Sequence, residues 1–377
     1  MIRISRSAVA TRKLCPMKRY WEYHAPHPDV PEAGSVGIRP TGLARAELSR
    51  GTLLHAMIEQ GLRAQQQHSG HSEETAPAMA AIEAVADDAM KSPELSQSEI
   101  AMIRRAAKGW FVFEYPRIAR EYLLLSTEEE WQWAMSPLIT QDLRMDSLWK
   151  HRHNGTLMIL DYKTMASMDV SWIMRMRLSE QTHLYIQALK ERTQAHNIHM
   201  QYEAIVLGRT EDRGPGALPR GPLTSVYLTA HGEMTFDVRR SPAGAKGRHP
   251  IPVGVTDLEW LSLVTSEGVQ DSIYATSGPL IIPAVNLLAT KAATVMAEMR
   301  WADTIAQIEA APSPEVRQLR VETLVERCSD ACVKYGMARP CPYHELCWDH
   351  VAPDSDFAPR IDHHATKETP DAHGHHG

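Results

Sequence analysis

The sequence contains no apolar run long enough to cross a bilayer. Its basic first residues are followed by no continuous apolar stretch of the kind a secretory signal requires. These two absences argue against a membrane-spanning protein and predict an intracellular, cytoplasmic one. Cysteine is sparse, with five in 377 residues, and in an intracellular protein so few thiols do not form a disulfide framework. An excess of positive charge is also missing. The net charge is −6, so any binding of nucleic acid must use a local basic surface. One such run is Arg3, Arg6, Arg12, Lys13, Lys18 and Arg19, all before the first acid, Glu22. Read alone, it is a solvated, positively charged N-terminus. No internal repeat is present, which sets aside repeat architectures.

The length allows a sizeable core and two or three domains. The pattern predicts helices first. Leu48 to Gln67 reads as a helix because Leu54, Met57, Ile58 and Gly61 fall at i, i+3, i+4 and i+7. Ala78 to Met90 and Ser98 to Tyr122 read as two more, with Ser69 to Ala76 a polar connector. Strands follow. Glu128 to Met135 and Leu143 to Trp149 alternate, and Leu157 to Tyr162 runs apolar up to Asp161 as a central strand does. His153-Asn154-Gly155 suits a hairpin turn. Trp172 to Arg192 reads as one helix, and Tyr202 to Leu207 and Leu223 to Leu228 as strands around a Gly/Pro-rich loop, Arg209 to Gly221. Ala230 to Gly254 fits no clear pattern, and Thr256 to Glu309 reads as mostly helical. The end from about Pro353, which carries five histidines, reads as a disordered tail.

The chemistry concentrates in one stretch, Asp146 followed by Asp161-Tyr162-Lys163. Hydrolysis of a phosphodiester needs a nucleophilic water, neutralised phosphate charge and help for the leaving oxygen. A hard cation held by carboxylates supplies all three. Asp146 and Asp161 are candidate ligands, and the Tyr162 carbonyl is placed to be another. Lys163 lies two residues from Asp161, so on a strand both side chains share a face. One Asp-x-Lys triplet occurs readily by chance. Its place at the end of an apolar strand, with a second acid on the preceding strand, makes it more telling. His55 lies on the first helix, where a lone histidine is more often a core or surface residue than a ligand. Gln181 and Tyr185 stack as i and i+4 on the helix after Lys163. Glu128, Glu129 and Glu130 open a strand and read as a solvated charge run, with Glu130 the member to watch.

Taken together, these residues resemble the RecB-like branch of the PD-(D/E)XK nucleases. That branch includes AddB-type nuclease domains, CRISPR-associated RecB-like exonucleases and phage exonucleases. The matching order is Gly51-x3-His55, Asp146, Asp161-Tyr162-Lys163 and Gln181-x3-Tyr185. The resemblance covers roughly residues 5 to 210 and 328 to 348, and leaves 230 to 311 unexplained. It implies an α/β restriction-endonuclease-like core with a helical N-terminal part and a Cys-rich C-terminal element. It implies that His55, Asp146, Asp161 and the Tyr162 carbonyl bind Mg²⁺ or Mn²⁺, that Lys163 is catalytic, and that Gln181 and Tyr185 contact DNA or brace the site. There is one departure: the family places Gly shortly before the first acid, where this chain has Leu143-Arg144-Met145.

Four cysteines, Cys328, Cys332, Cys341 and Cys347, crowd into twenty residues, which points to metal chemistry. The resemblance implies that Cys15, Cys332, Cys341 and Cys347 hold a [4Fe–4S] cluster, with Cys328 as a spare able to replace Cys332. A zinc site is the alternative, although paired C-x2-C knuckles are absent. The expected organisation is a helical part (1–122), a nuclease core (123–230), a helical segment (231–327), an iron–sulfur element (328–348) and a His-rich tail (349–377). The expected activity is a metal-dependent DNA exonuclease acting on single-stranded or duplex ends in recombination, end resection or CRISPR and phage DNA processing. A recombinase, helicase or CRISPR adaptation protein is its expected partner. The rival readings are a catalytically silent DNA-binding scaffold and a zinc-stabilised nucleic-acid adaptor.

Overall fold

The computed structural model describes residues 2–25, 37–40, 44–68, 75–91, 95, 97–165, 171–207, 225–228, 234–238, 247–251, 261–262, 265, 273–328, 341, 343, 346–347 and 357–359. In chain order the first elements are β1 (Ile2–Ser5), α1 (Arg6–Leu14), α2 (Pro16–Tyr23), β2 (Ile38–Pro40), α3 (Ala44–His68), α4 (Ala76–Ala89), α5 (Gln97–Phe113) and α6 (Tyr115–Glu121). Next come β3 (Tyr122–Ala134), β4 (Ile139–His151), β5 (Leu157–Met165), α7 (Trp172–Leu178), α8 (Glu180–Thr193) and β6 (Ile198–Val206). The last are β7 (Ser225–Leu228), β8 (Met234–Val238), β9 (Gly247–Ile251), β10 (Tyr274–Thr276), α9 (Ala284–Glu309), α10 (Pro314–Leu324) and β11 (Phe357–Pro359). This is the expected mixed α/β architecture. The chain divides into two compact units.

The larger unit comprises Ala46–Trp133 and Asp142–Ala293. Its sheet has β5 between β4, which is antiparallel to it, and β6, which is parallel; β10 continues antiparallel beyond β6, and β3 pairs with β4. β6 is buried along its whole length, as a strand covered on both faces must be. On one face of β5, Met158, Leu160 and Tyr162 join a core with Leu54, Met57, Ile58 and Leu62 of α3 and Trp110 and Phe111 of α5. Each fully buried Leu or Met there contributes about 1.5–3 kcal/mol. Gly61 allows α3 its close approach, because a Cβ there would lie 2.5 Å from the Phe111 ring. The alternate residues of β5, Asp161 and Lys163, point to the other face, toward α8. β7, within the strand expected at Leu223–Leu228, forms a separate antiparallel sheet with β8 and β9, which lie in the stretch the sequence left unassigned.

The smaller unit comprises Met1–Arg45, Ala134–Gln141 and Thr294–Gly377. Its core gathers Met17, Tyr20, Ile38, Trp301, Ile305, Val321 and Tyr343. Arg12 and Arg19 both pair with Glu298, at 2.9 and 2.8 Å, and Glu298 is 1 % exposed. The basic N-terminus is therefore not wholly a solvated run. Arg19 is buried over the Trp301 ring, 5.0 Å from its centre, where a hydrogen-bonded ion pair is the condition for burying charge. β11 pairs with β2, so a strand lies within the segment expected to be disordered.

Two helical expectations need correction. The helix read from Ser98 to Tyr122 breaks at Glu114, because Pro116 lacks the N–H and crowds the carbonyl of Val112. The helix read from Trp172 to Arg192 is α7 and α8, divided at Ser179, which is extended and whose hydroxyl caps α8 by accepting from the Gln181 N–H at 3.2 Å. Thr256 to Glu309 is mostly helical among its described residues, as expected, through α9. β10 adds to the sheet there, and Gly278 at φ +64°, with Pro279 and Pro283, delays α9 to Ala284. The connector 69–74 and the loop Arg209 to Gly221 lie outside the described residues.

Candidate active site

The β4–β5 ladder runs from Lys150–Leu157 to Ser147–Leu160 and stops one residue short of Asp146 and Asp161. There a side chain takes over from the backbone: Asp146 Oδ2 accepts the Tyr162 N–H at 2.9 Å. The same oxygen lies 3.3 Å from His55 Nδ1, carried on α3. His55 meets the Tyr162 ring edge-on, with centroids 6.1 Å apart. Gly51 of α3 faces the strand end, where an added Cβ would make an ordinary contact with Thr164 Oγ1 at 3.4 Å. The Tyr162 side chain belongs to the core. Its hydroxyl is 3.2 Å from Ser147 Oγ, which also accepts from Trp149 Nε1 at 2.9 Å. Burial pushes the Tyr162 phenol well above its ordinary pKa, which leaves only its backbone to serve the site.

Asp161 is 2 % exposed and contacts Lys163 directly. Gln181 Nε2 donates to Asp161 Oδ2 at 2.6 Å, so α8 fixes the carboxylate from behind. The Lys163 ammonium also lies 5.4 Å from the centre of the Tyr202 ring. Tyr185, 3 % exposed, donates its hydroxyl to the Arg144 carbonyl at 2.9 Å and ties α8 to β4. Gln181 and Tyr185 are both buried with their polar groups turned to the protein. Of the two roles expected for them, these contacts are bracing ones.

The electrostatics follow from this crowding. Burial raises the Asp146 carboxyl, but His55, Lys163 and the Tyr162 N–H outweigh it and hold the group below its ordinary value. Burial lowers the His55 imidazole, but the hydrogen bond and charge of Asp146, with the charge of Asp161, leave it raised. Glu128 behaves differently. Burial and the neighbouring Asp146 push it up to about 7, against the opposing pull of Arg144.

Glu128 is the residue that sequence reasoning missed. Its carboxylate, the His55 imidazole and the Asp146 carboxylate each offer a ligand atom within 4.8 Å of the others. Glu130, the glutamate singled out from the sequence, lies 3.8 Å from Arg144 and 37 % exposed instead. Alternation places Glu128 and Glu130 on one side of a strand. What selects Glu128 is a left-handed backbone, φ +48°, which no glutamate signals in advance. The donor set fits a divalent cation: one imidazole nitrogen and two carboxylates converge, with Asp161 on the neighbouring strand.

The cysteines lie in the smaller unit. Cys15 and Cys347 are buried in its core, and Cys328 and Cys341 pack against the same cluster, with no disulfide among these four. Cys332 lies outside the described residues. Compared with known proteins, residues 3–347 match the family model of the PD-(D/E)XK nuclease superfamily. No curated protein matches the chain.

Proposed function

The chain belongs to the PD-(D/E)XK nuclease superfamily, and from that premise we propose that it is a Mg²⁺- or Mn²⁺-dependent DNA exonuclease. One observation carries the proposal. Four groups from three elements, His55 on α3, Asp146 on β4, and Asp161 and Lys163 on β5, meet where the β4–β5 ladder ends. His55, Asp146, Glu128 and Asp161, with the Tyr162 carbonyl, are the groups that would hold the cation. When bound, such an ion neutralises the scissile phosphate and acidifies a water for attack.

The remaining work falls to the chain itself. Lys163, held against Asp161, presents an ammonium where negative charge develops on the phosphate, and a preorganised donor there needs no reorganisation during reaction. Gln181 keeps Asp161 from rotating away, and Tyr185 steadies the strand that bears Asp146. The test is a time course on end-labelled single-stranded and duplex DNA with Mg²⁺, Mn²⁺ or EDTA. An exonuclease releases label progressively from ends and stops in EDTA. Internal cuts without end dependence would argue for an endonuclease.

We also propose that Cys15, Cys341 and Cys347, with Cys332 or Cys328, hold a [4Fe–4S] cluster. The supporting observation is that thiols from both ends of the sequence reach one apolar core. The cluster's role there is structural, tying the N-terminal helices to the C-terminal segment. Protein purified without air should be brown and carry about four iron atoms. Colourless protein with one bound zinc would favour the zinc alternative.

A further inference from the structure

We infer that Arg144 and Glu128 form a latch on the cation site, so that DNA and metal each ease the binding of the other. The inference rests on the metal-dependent reading above. The Glu128 carboxylate has two claims on it. It is within ligand distance of His55 and Asp146, and it is ion-paired with Arg144 Nε. A guanidinium and a cation thus compete for one carboxylate. Glu128 is held in this place by its own backbone, which is left-handed at φ +48° without being glycine. Its side chain is 6 % exposed, whereas that of Arg144 is 57 % exposed, so the arginine is the member with room to move.

The fold also supplies the arginine with somewhere to go. Arg144 lies two residues before Asp146 on β4, so both side chains leave the strand on one face. Its backbone is anchored by Tyr185, which leaves the side chain as the moving part. Glu130 lies 3.8 Å from the guanidinium as an alternative acceptor. A phosphate of a bound strand is a better one, because a guanidinium matches phosphate oxygens with two parallel hydrogen bonds. When a phosphate draws Arg144 away, Glu128 is freed for the cation. When a cation takes Glu128, Arg144 is freed for phosphate. By linkage the two effects are equal in size.

The test measures Mn²⁺ affinity of the intact protein without DNA, by calorimetry and by the electron paramagnetic resonance of free Mn²⁺. Thermal melts of each variant establish folding. Glu128→Gln should weaken Mn²⁺ binding. Arg144→Gln should tighten it by at least about fivefold, since a positive charge and a competitor are both removed. In the double variant the gain from Arg144→Gln should shrink to the small part due to the lost positive charge, because no Glu128 carboxylate remains to be freed. In a Lys163→Ala background, in which cleavage is slow, Mn²⁺ should tighten DNA binding, and Arg144→Gln should reduce that enhancement to what the metal–phosphate contact alone supplies. Weaker or unchanged Mn²⁺ binding in Arg144→Gln would overturn the latch and leave the cation site standing. So would a gain that is undiminished without Glu128. Failure of the unaltered protein to bind Mn²⁺ at all would overturn the cation site and the latch together.

Discussion

Asp161 owes its position to Gln181 as much as to its own strand. The 2.6 Å hydrogen bond between them is nearly buried, so Gln181→Ala leaves the carboxylate free to rotate. The expected result is a fall in kcat of roughly 10–100-fold, in line with losses on removing a partner that orients a metal ligand, with a melting temperature lowered by only a few degrees. The His55–Asp146 pair gives metal-free stability a pH signature. His55 is raised, so its contribution is complete below the unfolded pKa and is lost as pH rises through the raised folded value. Asp146 is lowered, so its contribution is present above the unfolded pKa and is lost as pH falls through the lowered folded value. The pair therefore stabilises most between the unfolded pKa of Asp146 and the unfolded pKa of His55. In chelator, the melting temperature of His55→Ala should fall furthest below that of the unaltered protein in that window and approach it at higher pH. Glu128 has the opposite sign. Its folded value of about 7 exceeds the unfolded one, so ionising it costs stability as pH rises between the two. Glu128→Gln should melt about 2 °C or more above the unaltered protein at pH 8 without metal, with the gain fading in acid. At this scale Asp146, Asp161 and Lys163 could be read from the sequence because acid and amine stood at the end of an apolar run. Glu128 could not, because its place depends on a backbone twist that its neighbours do not encode.

The elements that carry the site were the easier part to read. The α3 stripe of Leu54, Met57, Ile58 and Gly61 and the apolar run of β5 follow directly from periods of 3.6 and 2. Their ends were harder. Ser179 stops one helix and caps the next with its hydroxyl, which periodicity alone does not show. β10 is three residues long and is a strand only because β6 offers it an edge. Gly61 links this scale to stability. A Val there would press its Cβ on the buried Phe111 ring at 2.5 Å, while helix propensity returns only a few tenths of a kcal/mol relative to glycine. Gly61→Val should lower unfolding free energy by about 1–3 kcal/mol in urea titrations, with the slope unchanged. A neutral result would show that α3 and α5 can separate without loss.

Across the whole molecule, each unit has its own core, the larger one carrying the sheet that bears the candidate site and the smaller one four of the five cysteines among its described residues. The family match over residues 3–347 covers both. The sequence suggested that the two chain ends share a site through Cys15 and the late cysteines, and four described thiols do gather at one core. The pairing of Arg12 and Arg19 with the buried Glu298 could not be foreseen, because their partner lies some 280 residues away. Cys15→Ser should lose visible absorbance and iron together and lower the melting temperature, whereas a purely packed thiol would leave colour and iron unchanged. The most direct test of the central claim is single-turnover digestion of end-labelled DNA with Mn²⁺ by the unaltered protein, Asp161→Asn and Lys163→Ala, all verified as folded. Cleavage by the unaltered protein should stop with chelator and fall by at least roughly 10²–10³-fold in both variants. Equal cleavage by all three proteins would contradict the account, because it would place the chemistry elsewhere than at the joined ends of β4 and β5.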